Sequence, residues 1–142
     1  MAKKLWVLVF VSCCIAAALQ CGKSSTTPTG PGGGGTVDTT FAGGIQPIFT
    51  SSCATSTACH QAPGQQGLIL STGQSYALLV NVNSGEVPAL KRVRPSKIDS
   101  SYIVNKIDGT QTVGAKMPLG GSLSAAKIQL IKRWITAGAP NN

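Results

Sequence analysis

Cys53-Ala54-Thr55-Ser56-Thr57-Ala58-Cys59-His60 is the stretch on which the reading of this sequence turns. Two thiols followed directly by an imidazole form the arrangement that attaches haem c: the thiols add to the vinyl groups and the adjacent imidazole meets the iron. The usual motif has two residues between the thiols; this one has five, all of them small enough to form a bulged loop without steric conflict. The same residues have a haem-free alternative. In an exported chain, Cys53 and Cys59 can close a disulfide that stabilises by about 2–3 kcal/mol, leaving His60 as an ordinary loop side chain. Both readings stand at this point. Zinc would find three ligands here and no fourth. Thioredoxin-like exchange needs C-x-x-C at a helix start. A Cys–His nucleophile would need the two side chains to face each other and a third group to orient the base.

The rarity of reactive side chains sharpens the motif. Among 142 residues there is one His, and there are two Met and four Asp+Glu against 12 Lys+Arg. One imidazole excludes any site built from several, and four acids leave little for a carboxylate pair or an oxygen cage. Apart from Met1, the only Met is Met117, in Gly114-Ala115-Lys116-Met117-Pro118. Pro118 and the flanking glycines place this thioether on a loop, where it can project as a second iron ligand rather than fill a packed helix. The expected metal ligands are therefore His60 and Met117. A His/Met pair raises the potential of the iron relative to bis-His.

Working outward from the motif, the chain divides into three parts. Residues 1–20 carry Lys3 and Lys4, then an apolar run from Leu5 to Leu19 broken only by Ser12. Fifteen residues are short for a bilayer span of about 20, and the pattern is that of an export signal. The sequence Ala18-Leu19-Gln20-Cys21-Gly22 resembles a bacterial lipoprotein signal, which implies lipidation at Cys21 and a mature chain beginning there. Gln20 departs from the small residue usual at its position. Cys13 and Cys14 compete as acceptors but follow too short an apolar run. The 42% hydrophobic content of the chain is inflated by this segment.

Residues 21–40 comprise the lipidated Cys and a linker in which 16 of the 19 residues from Gly22 to Thr40 are Gly, Pro, Ser or Thr. Such a composition cannot bury enough apolar surface to fold. As a flexible coil it spans about 25 Å root-mean-square. Its glycine run has neither the preceding strand nor the following G-K-[ST] of a phosphate loop.

Residues 41–142 form the one foldable unit. Phe41, Ile45, Ile48 and Phe49 recur at helical spacing, with Pro47 placed to kink the helix or sit in its first turn. Residues 50–67 read as loop and Leu68-Ile69-Leu70 as a short extended segment. Ser71–Val80 reads as a helix capped by Ser71, burying Tyr76, Leu79 and Val80. Ser100–Ile107 reads as a third helix burying Ile103, Val104 and Ile107. Ser124 caps the clearest helix, AAKIQLIKRWIT, with Ile128, Ile131 and Ile135 on one face and Leu130 and Trp134 beside it. No segment alternates with period two, so the fold class is mainly α, with long loops. Only five aromatics (Phe41, Phe49, Tyr76, Tyr102 and Trp134) follow residue 20. So loop-rich a domain has difficulty building a core unaided, and a buried prosthetic group would complete it.

Taken together, Ile45-Gln46-Pro47-Ile48-Phe49, Cys53…Cys59-His60, Gly67-Leu68-Ile69-Leu70-Ser71, Ser100-Ser101-Tyr102-Ile103-Val104, Lys116-Met117-Pro118-Leu119-Gly120-Gly121, Leu123-Ser124-Ala125-Ala126 and Ile131 through Ala139 resemble the small cytochrome c domains of environmental bacteria. These include planctomycete-type domains and lipoprotein cytochromes. The resemblance covers residues 41–140. It implies a cytochrome c-like fold in which the terminal helices cross and one haem c sits between the Cys-His segment and the Met loop. Cys53 and Cys59 would hold the haem, His60 would be the proximal ligand and Met117 the distal one.

With both axial positions filled, the expected role is electron transfer rather than catalysis; a haem enzyme would need an open iron position. Lys91, Arg92, Arg94 and Lys97 cluster around Pro95. Arg94 is the expected contact to a haem propionate, and the remaining charges would face an acidic redox partner. Nothing in the chain interleaves basic and aromatic residues for nucleic acid. The expected location is the cell envelope, lipid-anchored at the periplasmic side or the outer membrane. Gly22 lacks the Asp that retains lipoproteins at the inner membrane.

Overall fold

Pro47 shapes the start of the domain. Lacking a backbone N–H, it is tolerated only near a helix start. In the computed structural model, which describes residues 37–142, it occupies the first turn of α1 (Gln46–Ser52). The turn before it, Phe41–Ile45, is a wide π-turn closed by Gln46 N–H donating to Phe41 O. The two run on as one continuous helical segment that reaches Ser52, three residues further than the spacing of the apolar positions suggests. Thr40 caps it, accepting from Gly43 N at 3.0 Å, and Asp38 in turn accepts from the Thr40 N–H and hydroxyl at 2.8 and 2.6 Å. Those two bonds hold the Asp38 carboxyl below its ordinary pKa. The cap lies within the span read as linker. The signal segment, Cys21 and the linker as far as residue 36 lie outside the described residues.

Three further helices follow: α2 (Ser75–Leu79), α3 (Tyr102–Asp108) and α4 (Ala125–Thr136). Among the described residues there is no strand, only isolated pairings of Val80 with Val93, Asn83 with Lys91, and Lys91 with Ser101. The mainly α expectation holds. No helix among the described residues is long and apolar enough to cross a membrane.

α2 is shorter than the sequence suggests. Gly73 sits at φ +84°, outside helical space, so the helix starts at Ser75 and Ser71 heads only a preceding turn. Leu79 is fully buried, whereas Tyr76 and Val80 pack half-buried against the core. α3 buries Val104 and Ile107 as expected, and also Tyr102 and Lys106, a cation that apolar periodicity does not flag. Gly109, at φ +81°, ends it in the left-handed conformation. α4 has the expected Ser124 cap, whose hydroxyl accepts from Lys127 N. Its buried face is Leu130, Ile131, Trp134 and Ile135, with Ile128 at the margin.

The terminal helical segments pack through aromatics. Phe41 lies 5.3 Å from Trp134, 5.1 Å edge-on from Tyr76 and 6.4 Å from Phe49, centroid to centroid. Polar tips are satisfied by the C-terminal tail: Trp134 Nε1 donates to Pro140 O at 2.9 Å and Tyr76 OH to Ala139 O at 2.8 Å. Phe41 N and Ala42 N donate to Asn142 at 2.9 and 2.8 Å. An ion pair of 2.7 Å, Lys132 with Asp108, joins α4 to α3. No buried side-chain nitrogen or oxygen among the described residues lacks a hydrogen-bond partner.

Candidate functional site

The chain leaves α1 at Cys53, whose N–H still donates to Phe49 O at 2.9 Å. It then folds back on itself. Ser56 O accepts from Cys59 N at 3.0 Å and Gln61 N at 3.1 Å, and Cys53 O accepts from His60 N at 3.2 Å. Buried Ala54 anchors the bulge to the core. The five residues between the thiols are thus taken up in a hydrogen-bonded turn that returns His60 to the side of Cys53. The small side chains of this segment permit the reversal.

His60 is oriented by Leu68, with Nδ1 2.9 Å from the Leu68 carbonyl oxygen. A carbonyl can only accept, so Nδ1 carries a proton, and in the neutral ring the lone pair is on Nε2. This is the tautomer of a metal-ligating imidazole held by a backbone carbonyl. The Leu70 N–H donates to His60 O at 2.8 Å, fixing the backbone as well as the ring.

The two thiols are free and differ in character. Burial, reinforced by the nearby Cys59 and opposed by Lys127, pushes the Cys53 thiol up to about 11. Cys59 Sγ accepts from Ser56 Oγ at 3.4 Å and Thr55 Oγ1 at 3.6 Å, and those bonds lower its pKa. Bulge hydroxyls therefore favour the thiolate at one sulfur, while burial holds the other protonated.

Cys53, Cys59, His60 and Met117 line one cleft of about 490 Å³. Its apolar wall includes Leu68, Leu70, Leu79, Ile107, Leu123 and Ile131. The volume lies within the range of roughly 300–1,000 Å³ typical of sites for organic ligands. Met117 reaches the cleft on a loop whose N–H donates to Lys106 O of α3 at 2.9 Å. Beside it Leu119 stands 73% exposed at the cleft mouth. Among the described residues no three His, Cys, Asp or Glu side chains converge as metal ligands.

Arg94 is exposed and does not line the cleft; its N–H donates to Ser101 Oγ at 2.8 Å. Arg92 lines it instead. Its guanidinium donates to Gln66 O and Leu78 O, each at 2.6 Å, and to Gly67 O at 3.3 Å, with no carboxylate partner. Buried Val93 lies between the two arginines. The carbonyls that hold the Arg92 guanidinium come from segments distant in sequence and have no local sequence signal. The Glu86–Lys106 ion pair, 2.6 Å long, also lines the cleft and was equally invisible in the sequence. No known protein family, curated protein or solved structure matches this chain.

Proposed function

We propose that this chain is a single-haem electron carrier of the cell envelope. In this reading Cys53 and Cys59 hold haem c, His60 and Met117 are the axial ligands, and the cytochrome c-like domain is tethered by a lipid on Cys21. The observation that carries the proposal is convergence. Two thiols and the one His of the chain, all from the Cys53–His60 stretch, line the same cleft as its one Met beyond Met1, which comes from a loop far along the sequence.

The donor chemistry fits the group. His60 has its ring fixed through Nδ1, which leaves Nε2 as the nitrogen available to a metal, and Met117 offers a soft thioether that raises the potential of a His-ligated iron. The returning turn at residues 53–60 supports attachment despite the five-residue gap, because it restores the proximity of Cys53 to His60. Arg92 makes three hydrogen bonds of the five that a guanidinium can donate, so it retains donors for a haem carboxylate and takes the role expected of Arg94.

When bound, the haem supplies reversible one-electron chemistry. The chain's own residues hold, orient and shield it. The Leu68 carbonyl sets the His60 ring, the Lys106 carbonyl holds the Met117 backbone, and the aliphatic wall excludes water. Exposed Leu119 at the mouth, with exposed Lys116 three residues before it, suits a partner surface combining apolar contact with negative charge. Two filled axial positions favour transfer over catalysis.

One observation favours a second reading. Cys59 lies close enough to Cys53 to disfavour ionisation of its thiol, so an oxidised, haem-free module with a Cys53–Cys59 disulfide is the competing form. A visible spectrum of the full-length protein, purified from a host with haem-attachment machinery, separates them. The proposal expects sharp bands on reduction; a colourless protein selects the disulfide form.

A further inference from the structure

The loop that carries Met117 is fastened to α3 at three points, all centred on one ion pair. Tyr102 OH donates to Val113 O at 2.6 Å. Lys106 O accepts the Met117 N–H at 2.9 Å. Between these, Gly114 crosses directly over the Glu86 carboxylate and the Lys106 ammonium: at φ +71°, a Cβ there would collide with both Glu86 Oε1 and Lys106 Nζ. The pair itself is 2.6 Å long, with side chains only 10% and 19% exposed, and Nζ lies 5.7 Å from the Tyr102 ring centroid.

An ion pair so placed is costly to assemble, because each charge gives up hydration. Apolar residues would fill this wall at lower cost. Its members also come from different segments, Glu86 from the loop after α2 and Lys106 from α3, and both face the cleft. A charge at such a wall acts on any charge change inside the cleft through a medium less polarisable than water. The pair is balanced, so its two fields oppose each other within the site.

We infer that the Glu86–Lys106 pair is the positioning and electrostatic element of the Met117 side of the cleft, clamping the ligand loop to α3 while keeping the wall neutral beside the redox centre. This rests on the haem reading for its electrostatic half and on the structure alone for its clamping half. Glu86 and Lys106 are positioning residues: neither is assigned contact with the iron.

Two readouts on the full-length protein test it, in Glu86→Gln, Lys106→Gln and the double variant, which keeps a neutral hydrogen-bonded pair if the single variants fold poorly. The first is hydrogen exchange at the Met117 amide, which is informative whether or not haem is present. Breaking the pair should speed it at least about tenfold in each single variant. The second is the midpoint potential. Glu86→Gln leaves Lys106 uncompensated and should raise it; Lys106→Gln leaves Glu86 uncompensated and should lower it; the double variant should return towards wild type. Asp108→Asn, which opens the Lys132 pair outside the cleft lining, should move neither readout. Shifts of the same sign in both single variants would mean that the pair acts only by holding structure, and would overturn the electrostatic half. Unchanged Met117 exchange would overturn the clamp. A protein without haem would defeat the haem reading, and the exchange measurement would still decide the clamp.

Discussion

Phe49 belongs to two regions built on different principles. On one side it joins Phe41, Tyr76 and Trp134, a junction of aromatic rings whose polar tips are all bonded to the C-terminal tail. On the other it borders the cleft, where a mostly Leu and Ile wall meets two thiols, one imidazole, one thioether, Arg92 and the Glu86–Lys106 pair. The first region is complete in itself. The second leaves a space of about 490 Å³ between core aliphatics and these reactive and charged groups. Four of the five aromatics beyond residue 20 serve the first region, and only Tyr102 lies wholly with the second. The few rings are therefore concentrated at one junction, and the cleft wall is mostly aliphatic.

Breaking the aromatic junction should have the largest effect. Trp134→Ala removes a 1%-exposed ring and its bond to Pro140, and is expected to cost about 3–5 kcal/mol in denaturant unfolding. Met117→Ala tests the other region. It should leave covalent haem in place, lower the midpoint potential through loss of the thioether, and destabilise less than Trp134→Ala. A potential equal to wild type would remove Met117 from the iron.

The asymmetry of the thiols sharpens the comparison further. In protein carrying no haem, Cys53 is pushed to about 11 while Cys59 falls below the usual thiol value. At pH 8 the thiolate fraction at Cys59 then exceeds that at Cys53. The weaker nucleophilicity of a low-pKa thiolate takes back only part of this, leaving Cys59 to alkylate faster. Raising the pH towards 11 should narrow the gap as Cys53 ionises. Peptide mass spectrometry after brief iodoacetamide treatment reads the ratio, and equal labelling at pH 8 would contradict the structure of the bulge. The smallest effect belongs to Ser124→Ala, which removes the α4 cap and should cost about 1 kcal/mol without moving the redox potential.

Much of the aromatic junction was legible in the sequence, because helical periodicity and caps are local. The spacing from Phe41 to Phe49 and the Ser124 cap suffice to place both terminal helical segments. The start of α2 was not, since a single glycine conformation at Gly73 overrode the apolar spacing. Of the site, the reactive residues stood out by rarity: Cys53, Cys59, His60 and Met117 all reach the cleft. The supporting residues did not. Arg92 rather than Arg94 reaches the cleft, held by the carbonyls of Gln66, Gly67 and Leu78, and Lys106 is buried because Glu86, twenty residues earlier, neutralises it. Both depend on long-range partners, and charged residues in sequence carry the appearance of surface.

The central claim is that the cleft is built for a covalently held haem. A pyridine haemochrome spectrum with intact-mass analysis, on full-length protein from a host competent in haem attachment, tests it most directly. The account predicts one haem per chain, surviving denaturation and mapping to the Cys53–His60 peptide. A colourless chain lighter by two hydrogens, with Cys53 and Cys59 joined to each other, would contradict it.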